Sequence, residues 1–319
     1  MGNWYSSEVN DLEDIPVIAQ PGADNQASNT ETNTSPPTPP PIEDYQSFLV
    51  NQNRSFVHYT GDALRARLGH IRGQILERDY RFGHQNFVEP TERVYSLRDD
   101  SSLPSVLDQG ELGSCTANGM ANCLRVCEMR ETDTDDSTNV MMPSRLFVYY
   151  YSRDLEGTTD TDSGAQIRDV VKVVNCRGAC DEIVWPYNIS QFTLEPTEEC
   201  RIEAKKHRAI QYERVDQSLA ALKTAIRTGF PVVFGFVVYE SMETPSVGKT
   251  GIIPMPSPTD KAIGGHCVIL TGWDDNKRLF QIMNSWSEKW GDGGFGYLSY
   301  DYILTDYLAS DFWRITYVS

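Results

Sequence analysis

The stretch 108–115, which reads Asp-Gln-Gly-Glu-Leu-Gly-Ser-Cys, ends in the cysteine on which the interpretation of this chain depends. Further along, His266 follows two glycines, and Asn284 opens a segment rich in tryptophan and glycine. A thiol alone is a modest nucleophile, but a thiol paired with an imidazole that an amide orients is a catalytic unit. Taken singly, the cysteine could be a core residue, the histidine a surface residue and the asparagine part of a turn. Together with these flanks, the order Gln109, Cys115, His266, Asn284 predicts catalysis by the thiol.

Each of these residues has an expected role. Cys115 is predicted to begin a helix, whose partial positive charge favours the thiolate. Asn284 is expected to accept a hydrogen bond from the imidazole of His266, which would leave the pair as thiolate and imidazolium. The Gln109 side-chain amide and the Cys115 main-chain amide would form an oxyanion hole, worth roughly 3 kcal/mol per donor in comparable enzymes. Trp286 is expected to cover the hydrogen bond between the histidine and the asparagine.

Composition excludes several function classes. The net charge of −17 leaves no basic footprint for nucleic acid. The sequence has no apolar run of the ~18 residues that a membrane helix needs, and its first residues lack the pattern of a secretory signal. We therefore expect a soluble chain made in the cytosol. Of the seven cysteines, Cys123 and Cys127 are expected in the core. Cys176, Cys180 and Cys200 could hold one bridge or none, and without a secretory signal we expect none.

The hydrophobic pattern changes period along the chain. Helices are predicted over 63–80, 115–124, 145–153, 166–174 and, after an N-cap at Asp216, 219–229. Strands are predicted over 231–239, 266–272, 279–283, 296–300 and 312–318. A helical first part and a β-rich second part predict an α+β fold, with Cys115 in one subdomain and His266 in the other. A site assembled across such a boundary is a cleft.

Three regions are predicted. Residues 1–50 carry −8 and a proline-rich stretch, and we expect a disordered arm there. Residues 51–92 are predicted to be a prosegment, whose part 51–81 carries +3. Residues 93–319 form the catalytic domain, helical over about 93–210 and β-rich over about 211–319.

The motifs resemble the active-site segments of papain-like cysteine peptidases, the cathepsins included. They are Gln-Gly-x-x-Gly-Ser-Cys at 109–115, Gly-His at 265–266, and Asn-Ser-Trp-x-x-x-Trp-Gly-x-x-Gly-x-Gly at 284–296. The Cys-to-His spacing of 151 residues is close to that of the group. The resemblance covers about 95–318 and implies a two-subdomain fold with the active site in the cleft. It also implies an endopeptidase that works through a thioester, with no metal or organic cofactor.

The departures from the family pattern are informative. Leu112 and Thr116 replace a cysteine and a tryptophan, so the family's usual bridge at that cysteine is impossible. This form of the motif resembles the microbial and large-virus branch. Asp-Ser-Gly-Ala at 162–165 stands where a glycine-rich substrate loop is expected, so Gly164 is predicted to contact the substrate backbone. Gly265 and Trp286 are the other predicted substrate-binding residues.

The pocket that sets side-chain preference is expected near Gly235, Phe236 and Gly265. Cathepsin B removes dipeptides through a loop with two histidines. Between Cys115 and His266 this chain has one histidine, His207, so we expect an open cleft and endopeptidase activity. Rival interpretations are a transpeptidase or ligase of the same fold and a silent peptide-binding protein.

The region before the domain suggests control. We expect part of 51–92 to lie across the cleft as an intramolecular inhibitor, cleaved between about Arg78 and Arg93; the alternative is an arm packed away from the site. The first residues match an N-myristoylation signal at Gly2, a match that is often accidental. We further expect protein or peptide substrates and a monomer. If the source is a large DNA virus, we expect an intracellular or virion-associated location; for any other source the sequence predicts none.

Overall fold

The computed structural model describes residues 55–74, 79, 81–82, 87–99 and 103–318. The predicted disordered arm and Gly2 lie outside these residues. The helices are α1 (Gly61–Arg65), α2 (Cys115–Glu131), α3 (Arg145–Glu156), α4 (Ile167–Cys176), α5 (Glu198–Ala204), α6 (Leu219–Arg227), α7 (Pro245–Thr250) and α8 (Tyr300–Leu304). The strands are β1 (His70–Ile71), β2 (Val94–Ser96), β3 (Ala165–Gln166), β4 (Ala209–Arg214), β5 (Val232–Tyr239), β6 (Ala262–Asp274), β7 (Leu279–Met283), β8 (Phe295–Ser299) and β9 (Ala309–Val318).

The helical part is built around α2, which is buried on nearly all sides. Helices α3 and α4 pack beside it, and their apolar residues share one core cluster with α2. The helix also contacts the sheet closely. A methyl group at Gly119 would lie 3.3 Å from a Val233 methyl and 3.4 Å from the Cys267 sulfur. The glycine that lowers helix propensity there therefore lets α2 approach β5 and β6.

The second part is an antiparallel sheet in the order β4-β9-β5-β6-β7-β8. In the register of β5 with β6, Phe236 lies opposite His266 and Gly235 opposite Cys267. Strand β2 also pairs with β6, so residues 94–96 belong to the sheet and not to the helical part where the sequence places them. The α+β fold with two subdomains is confirmed.

The prediction of one long helix over 63–80 is wrong. Among the described residues of this stretch (63–74 and 79), only those of α1 are helical, and the chain then becomes extended so that β1 pairs in parallel with β3. Gly69 explains the break, because a side chain there would overlap the main chain of Gly113. The N-cap of α6 also differs, since Ser218 and not Asp216 accepts the hydrogen bond from the Ala221 amide.

None of the helices in the described part of the chain has the length and apolar character that a bilayer crossing requires.

Candidate active site

Cys115 is the first residue of α2 and is fully buried. Burial raises the pKa of its thiol to about 12, although main-chain hydrogen bonds from Cys267, Gly69 and Thr116 act in the opposite direction. The sulfur therefore lies beside the residue that follows His266 in β6. While the site is covered, burial therefore favours the neutral thiol over the thiolate that the sequence predicts for the resting pair.

His266 and Asn284 form the predicted hydrogen bond. The imidazole Nε2 lies 2.8 Å from Asn284 Oδ1, which also accepts from the Ser285 amide. An accepting oxygen places the proton on Nε2, so Nδ1 is the basic nitrogen of the neutral ring. Nδ1 is buried and makes no hydrogen bond. Burial lowers the pKa of His266 to about 4, against the opposite effects of Asn284 and of the nearby Arg67 main chain.

The indole of Trp286 packs against the imidazole of His266 in a tilted arrangement. The two ring centroids are 4.6 Å apart at 32°, and the indole is 1% exposed. The Tyr59 ring also contacts the indole, in an edge-on arrangement with the ring centroids 5.7 Å apart. Trp286 therefore shields the His266–Asn284 hydrogen bond from water, which fits the expected cover. Its predicted contact with substrate stays a prediction.

Gln109 is held from two sides. Its side-chain amide donates to the carbonyls of Arg67 (3.0 Å) and Leu112 (2.8 Å), and its carbonyl accepts from the Ser285 hydroxyl at 2.7 Å. The amide thus points at a carbonyl oxygen that also lies near the imidazole of His266. A carbonyl in this place can be polarised by the amide next to the thiol and the base.

Residues 66–74, called the cleft segment below, occupy the space in front of these groups. The Ala165 amide donates to the Gly69 carbonyl at 2.8 Å. Gly164 has a φ of +76°, and a side-chain carbon placed on it would lie 2.2 Å from the Gly69 carbonyl oxygen. A side-chain carbon placed on Gly265 would lie 2.3 Å from the His70 carbonyl oxygen. Gly164, predicted to contact the substrate backbone, and Gly265, predicted to bind substrate, therefore both border the main chain of the cleft segment.

Two supporting groups were missed by sequence reasoning. Asp162 accepts hydrogen bonds from the Gly113 amide (3.1 and 3.0 Å) and from the Tyr149 hydroxyl, which itself accepts from the Gly164 amide at 3.1 Å. This network ties the turn before Cys115 to the loop that contains Gly164. The only signal in the sequence was the Asp-Ser-Gly-Ala stretch itself.

The second group centres on Arg145 in α3. Its guanidinium lies 3.6 Å from the Tyr187 ring centroid and pairs with Glu182. It also donates to the Asp108 carbonyl at 3.1 Å and to Asn118 Oδ1 at 3.0 Å. One buried cation therefore fixes the Gln109 loop against α2, and no local motif marks it.

Replacing Asp162 by alanine should loosen the turn before Cys115. The Gly113 amide and the buried Tyr149 hydroxyl would lose their acceptor, which costs about 1 kcal/mol. We expect a lower midpoint of thermal unfolding and a roughly tenfold loss of peptide hydrolysis. The matched variant Tyr149→Phe removes the phenol and keeps the carboxylate on Gly113, so it should lose less activity. Equal activity of Asp162→Ala and the unsubstituted chain would contradict the positioning role.

The described residues contain no group of three or more His, Cys, Asp or Glu side chains placed to hold a metal ion. All seven cysteines are free thiols in this structure.

Comparison with known proteins gives a consistent result. The family model "Papain family cysteine protease" matches residues 92–305. An uncharacterised peptidase C1-like protein of Acanthamoeba polyphaga mimivirus is 42% identical over 237 residues, which cover 71% of this chain and 75% of that protein. The crystal structure of xylellain, a cysteine protease from Xylella fastidiosa, aligns with a TM-score of 0.70 and 32% identity over 85% of this chain and 100% of its own. Procathepsin L2 of Tenebrio molitor has the same fold, with a TM-score of 0.63 and 18% identity over 86% of this chain and 87% of its own.

Proposed function

The chain belongs to the papain family of cysteine proteases, and from this premise we propose that it is an endopeptidase made as a zymogen. The nucleophile is Cys115, the base is His266, the orienting residue is Asn284 and the oxyanion donor is Gln109. The observation that carries the proposal is the Arg67 carbonyl, which accepts from the Gln109 amide beside the buried thiol and imidazole.

The reaction follows from these positions. His266 Nδ1 takes the proton of the Cys115 thiol, and the sulfur attacks the substrate carbonyl carbon. The carbonyl oxygen gains the negative charge and accepts hydrogen bonds from the Gln109 side chain and the Cys115 amide. His266 then gives its proton to the leaving amine, and a thioester remains. Water, deprotonated by His266, attacks the thioester, releases the acid and returns the proton to the sulfur.

The inhibitor of this zymogen is the region 51–92, whose cleft segment lies where a substrate carbonyl would lie. Ion pairs support the docking beyond the cleft. Asp79 binds the guanidinium of Arg168 and lies 3.5 Å from that of Arg214. These ion pairs differ from the contact suggested by the net charges, in which a basic region would bind an acidic domain. Here the carboxylate of Asp79 belongs to the inhibitory region, and the guanidinium groups belong to the domain. Sequence charge alone could not predict this contact.

The end of the region is anchored differently. Lys223 has a 1% exposed side chain and binds Glu89 at 2.6 Å and Asp275 at 2.5 Å. Glu92 pairs with Arg227 at 2.7 Å. Removing Glu89 would leave the buried ammonium of Lys223 with one carboxylate partner instead of two, which is unfavourable. We therefore place the activating cleavage before residue 87, within the range expected from the sequence, and leave 87–92 on the domain.

The proposal is tested on the full-length chain carrying the recognition sequence of a specific protease between Phe82 and Phe87. After cutting, an epoxide that alkylates active-site thiolates should label Cys115, and a denatured protein substrate should yield internal fragments. Release of dipeptides from C-termini as the main product would contradict endopeptidase activity. An added amine that captures most of the acyl group would favour the ligase, and absence of both labelling and products would favour the silent binding protein.

A further inference from the structure

Tyr187 is a polar residue beside the site that the proposed reaction does not use. It lies in the loop between α4 and α5. Its hydroxyl donates to the Gln109 main-chain carbonyl at 2.9 Å and lies 2.5 Å from the Ser114 hydroxyl. Gln109 carries one proposed donor of the oxyanion hole, and Ser114 directly precedes Cys115, whose amide is the other. A single phenol therefore bridges the two stretches of chain that supply these donors.

The direction of these hydrogen bonds follows from the number of protons available. A phenol has one proton, which Tyr187 donates to the Gln109 carbonyl, so its oxygen accepts from the Ser114 hydroxyl. The Ser114 oxygen in turn accepts from the Asn118 side-chain amide at 3.0 Å. The bonds thus run in one direction, from the side chain of Asn118 to the main chain of Gln109. Hydrogen bonds that are linked in this way strengthen one another.

Arg145 holds this chain of hydrogen bonds at both ends. Its guanidinium lies 3.6 Å from the centroid of the Tyr187 ring. It donates to Asn118 Oδ1 at 3.0 Å, which leaves the amide nitrogen of Asn118 to donate to Ser114. It also donates, at 3.1 Å, to the carbonyl of the residue before Gln109. Burial raises the pKa of the Tyr187 hydroxyl, so the phenol keeps its proton at neutral pH and remains a donor.

A separate group holds Gln109 from the β-rich part. The Gln109 main-chain amide donates to the Ser285 carbonyl at 2.9 Å, and its side-chain carbonyl accepts from the Ser285 hydroxyl at 2.7 Å. These bonds orient Gln109 toward the cleft, whereas Tyr187 fixes it relative to the start of α2. Without the phenol hydroxyl, the Gln109 main-chain carbonyl would lose the donor described for it. The loop could then shift relative to Cys115.

We propose that Tyr187 is a positioning residue of the oxyanion hole, whose hydroxyl fixes the separation between the Gln109 side-chain amide and the Cys115 main-chain amide. The inference rests on the proposed peptidase mechanism and adds a residue to it. Tyr187 acts through these two donors and not through contact with the substrate. An oxyanion must accept from both donors at once, so an error in their separation slows the attack and leaves substrate binding unchanged. A misplacement of about 1 Å can cost roughly 100-fold in rate.

The test uses the full-length chain cut between Phe82 and Phe87, with internally quenched peptides as substrates. Tyr187→Phe keeps the ring beside Arg145 and removes only the hydroxyl. We expect kcat to fall about 10- to 30-fold while KM stays within about twofold. Epoxide labelling of Cys115 should stay within about threefold, because alkylation of the thiolate creates no oxyanion in the hole.

Tyr300→Phe is the matched control. It also removes a buried phenol hydroxyl, which donates to Asp275 at 2.6 Å in the β-rich part of the chain. Both variants should lower the midpoint of thermal unfolding, since each loses one buried hydrogen bond. Tyr300→Phe should nevertheless keep kcat within about twofold. Equal losses of kcat in the two variants, or a loss of labelling as large as the loss of kcat in Tyr187→Phe, would overturn the positioning role.

Coupling to Gln109 provides a second measurement. In Gln109→Ala one of the two donors is absent, so their separation no longer matters, and adding Tyr187→Phe should lower kcat by less than about threefold. Losses that multiply would show that Tyr187 acts elsewhere, which overturns the inference. If Tyr187→Phe does not fold, Ser114→Ala breaks the same bridge from its other end. It should lower kcat about three- to tenfold with KM and labelling retained, and it should show the same coupling to Gln109.

The outcomes separate this inference from the peptidase function. Peptide cleavage with an unchanged kcat in Tyr187→Phe overturns the inference and leaves the peptidase function standing. A cut chain without substitutions that neither cleaves the peptides nor is labelled at Cys115 overturns both proposals.

Discussion

Cutting the full-length chain between Phe82 and Phe87 and removing the released segment should raise the rate of Cys115 alkylation at pH 7 by at least about 100-fold. With the segment bound, the thiol pKa is about 12, against an ordinary value of 9.0, so about a thousandfold less thiolate is present at neutral pH. Part of this difference in thiolate population is offset in the alkylation rate, because thiolates of lower pKa are intrinsically weaker nucleophiles.

The pH profiles of the two forms should differ in shape. In the uncut chain, the alkylation rate should rise about tenfold for each pH unit from 7 to 10, because this range lies below the raised thiol pKa. After removal of the segment, water reaches the thiol and the imidazole of His266, which stabilises their charged forms. The rate should then depend only weakly on pH above neutrality.

Iodoacetamide labelling followed by mass analysis of the peptide that contains Cys115 measures both rates. Cys115→Ser, cut and uncut, gives the background from the other six thiols, which are free in the structure. The cut chain must be washed, since a released segment held by Asp79 and His70 can stay bound. Equal rates and parallel pH profiles in the two forms would overturn the inhibitory role of 51–92.

The residues proposed to be catalytic could be identified from the sequence because short local motifs carry them. These motifs include the glycines around Cys115 and His266 and the tryptophan two residues after Asn284, and each can be recognised from neighbouring residues alone. The α+β class was equally accessible, since the change from helical to strand periodicity follows from which faces are buried.

The course of the cleft segment was not accessible in the same way. Residues 63–80 have helical periodicity, yet the helix ends at Arg65. What decides this is the approach of Gly69 to the Gly113 main chain, 44 residues along the sequence. Helix propensity contributes only a fraction of a kcal/mol per residue, and docking of the segment against a preformed cleft overrides it.

Asp311, whose buried carboxylate binds the cleft segment, was missed for a related reason. In the sequence it is an acid directly before the strand predicted over 312–318, a place that normally indicates a solvated position. Its left-handed conformation is tied to a shift in the register between β5 and β9, and no local pattern reports this shift. The charges that meet there come from residues as distant as His70, Arg168 and Arg214.

Replacing Gln109 by alanine should lower kcat of the cut chain by about 100- to 1000-fold. The structure aims its amide at the Arg67 carbonyl oxygen, 3.0 Å away, beside the thiol and the imidazole. A donor in this position stabilises charge that appears only when the substrate carbonyl is attacked, so its loss affects kcat more than KM. Epoxide labelling of Cys115 should change only a few-fold, because the thiolate does not need this donor.

Two further variants separate the donor from the packing of the side chain. Gln109→Glu still accepts from the Ser285 hydroxyl but cannot donate, and its charge repels the oxyanion, so its kcat should fall at least as far. Ser285→Ala removes the partner that orients Gln109 and should cost less than about tenfold, because Leu112 and the substrate still hold the amide. A Gln109→Ala enzyme with kcat reduced no more than Ser285→Ala would show that the oxyanion is stabilised elsewhere. A parallel loss of epoxide labelling would instead assign Gln109 a structural role in holding the turn at Cys115.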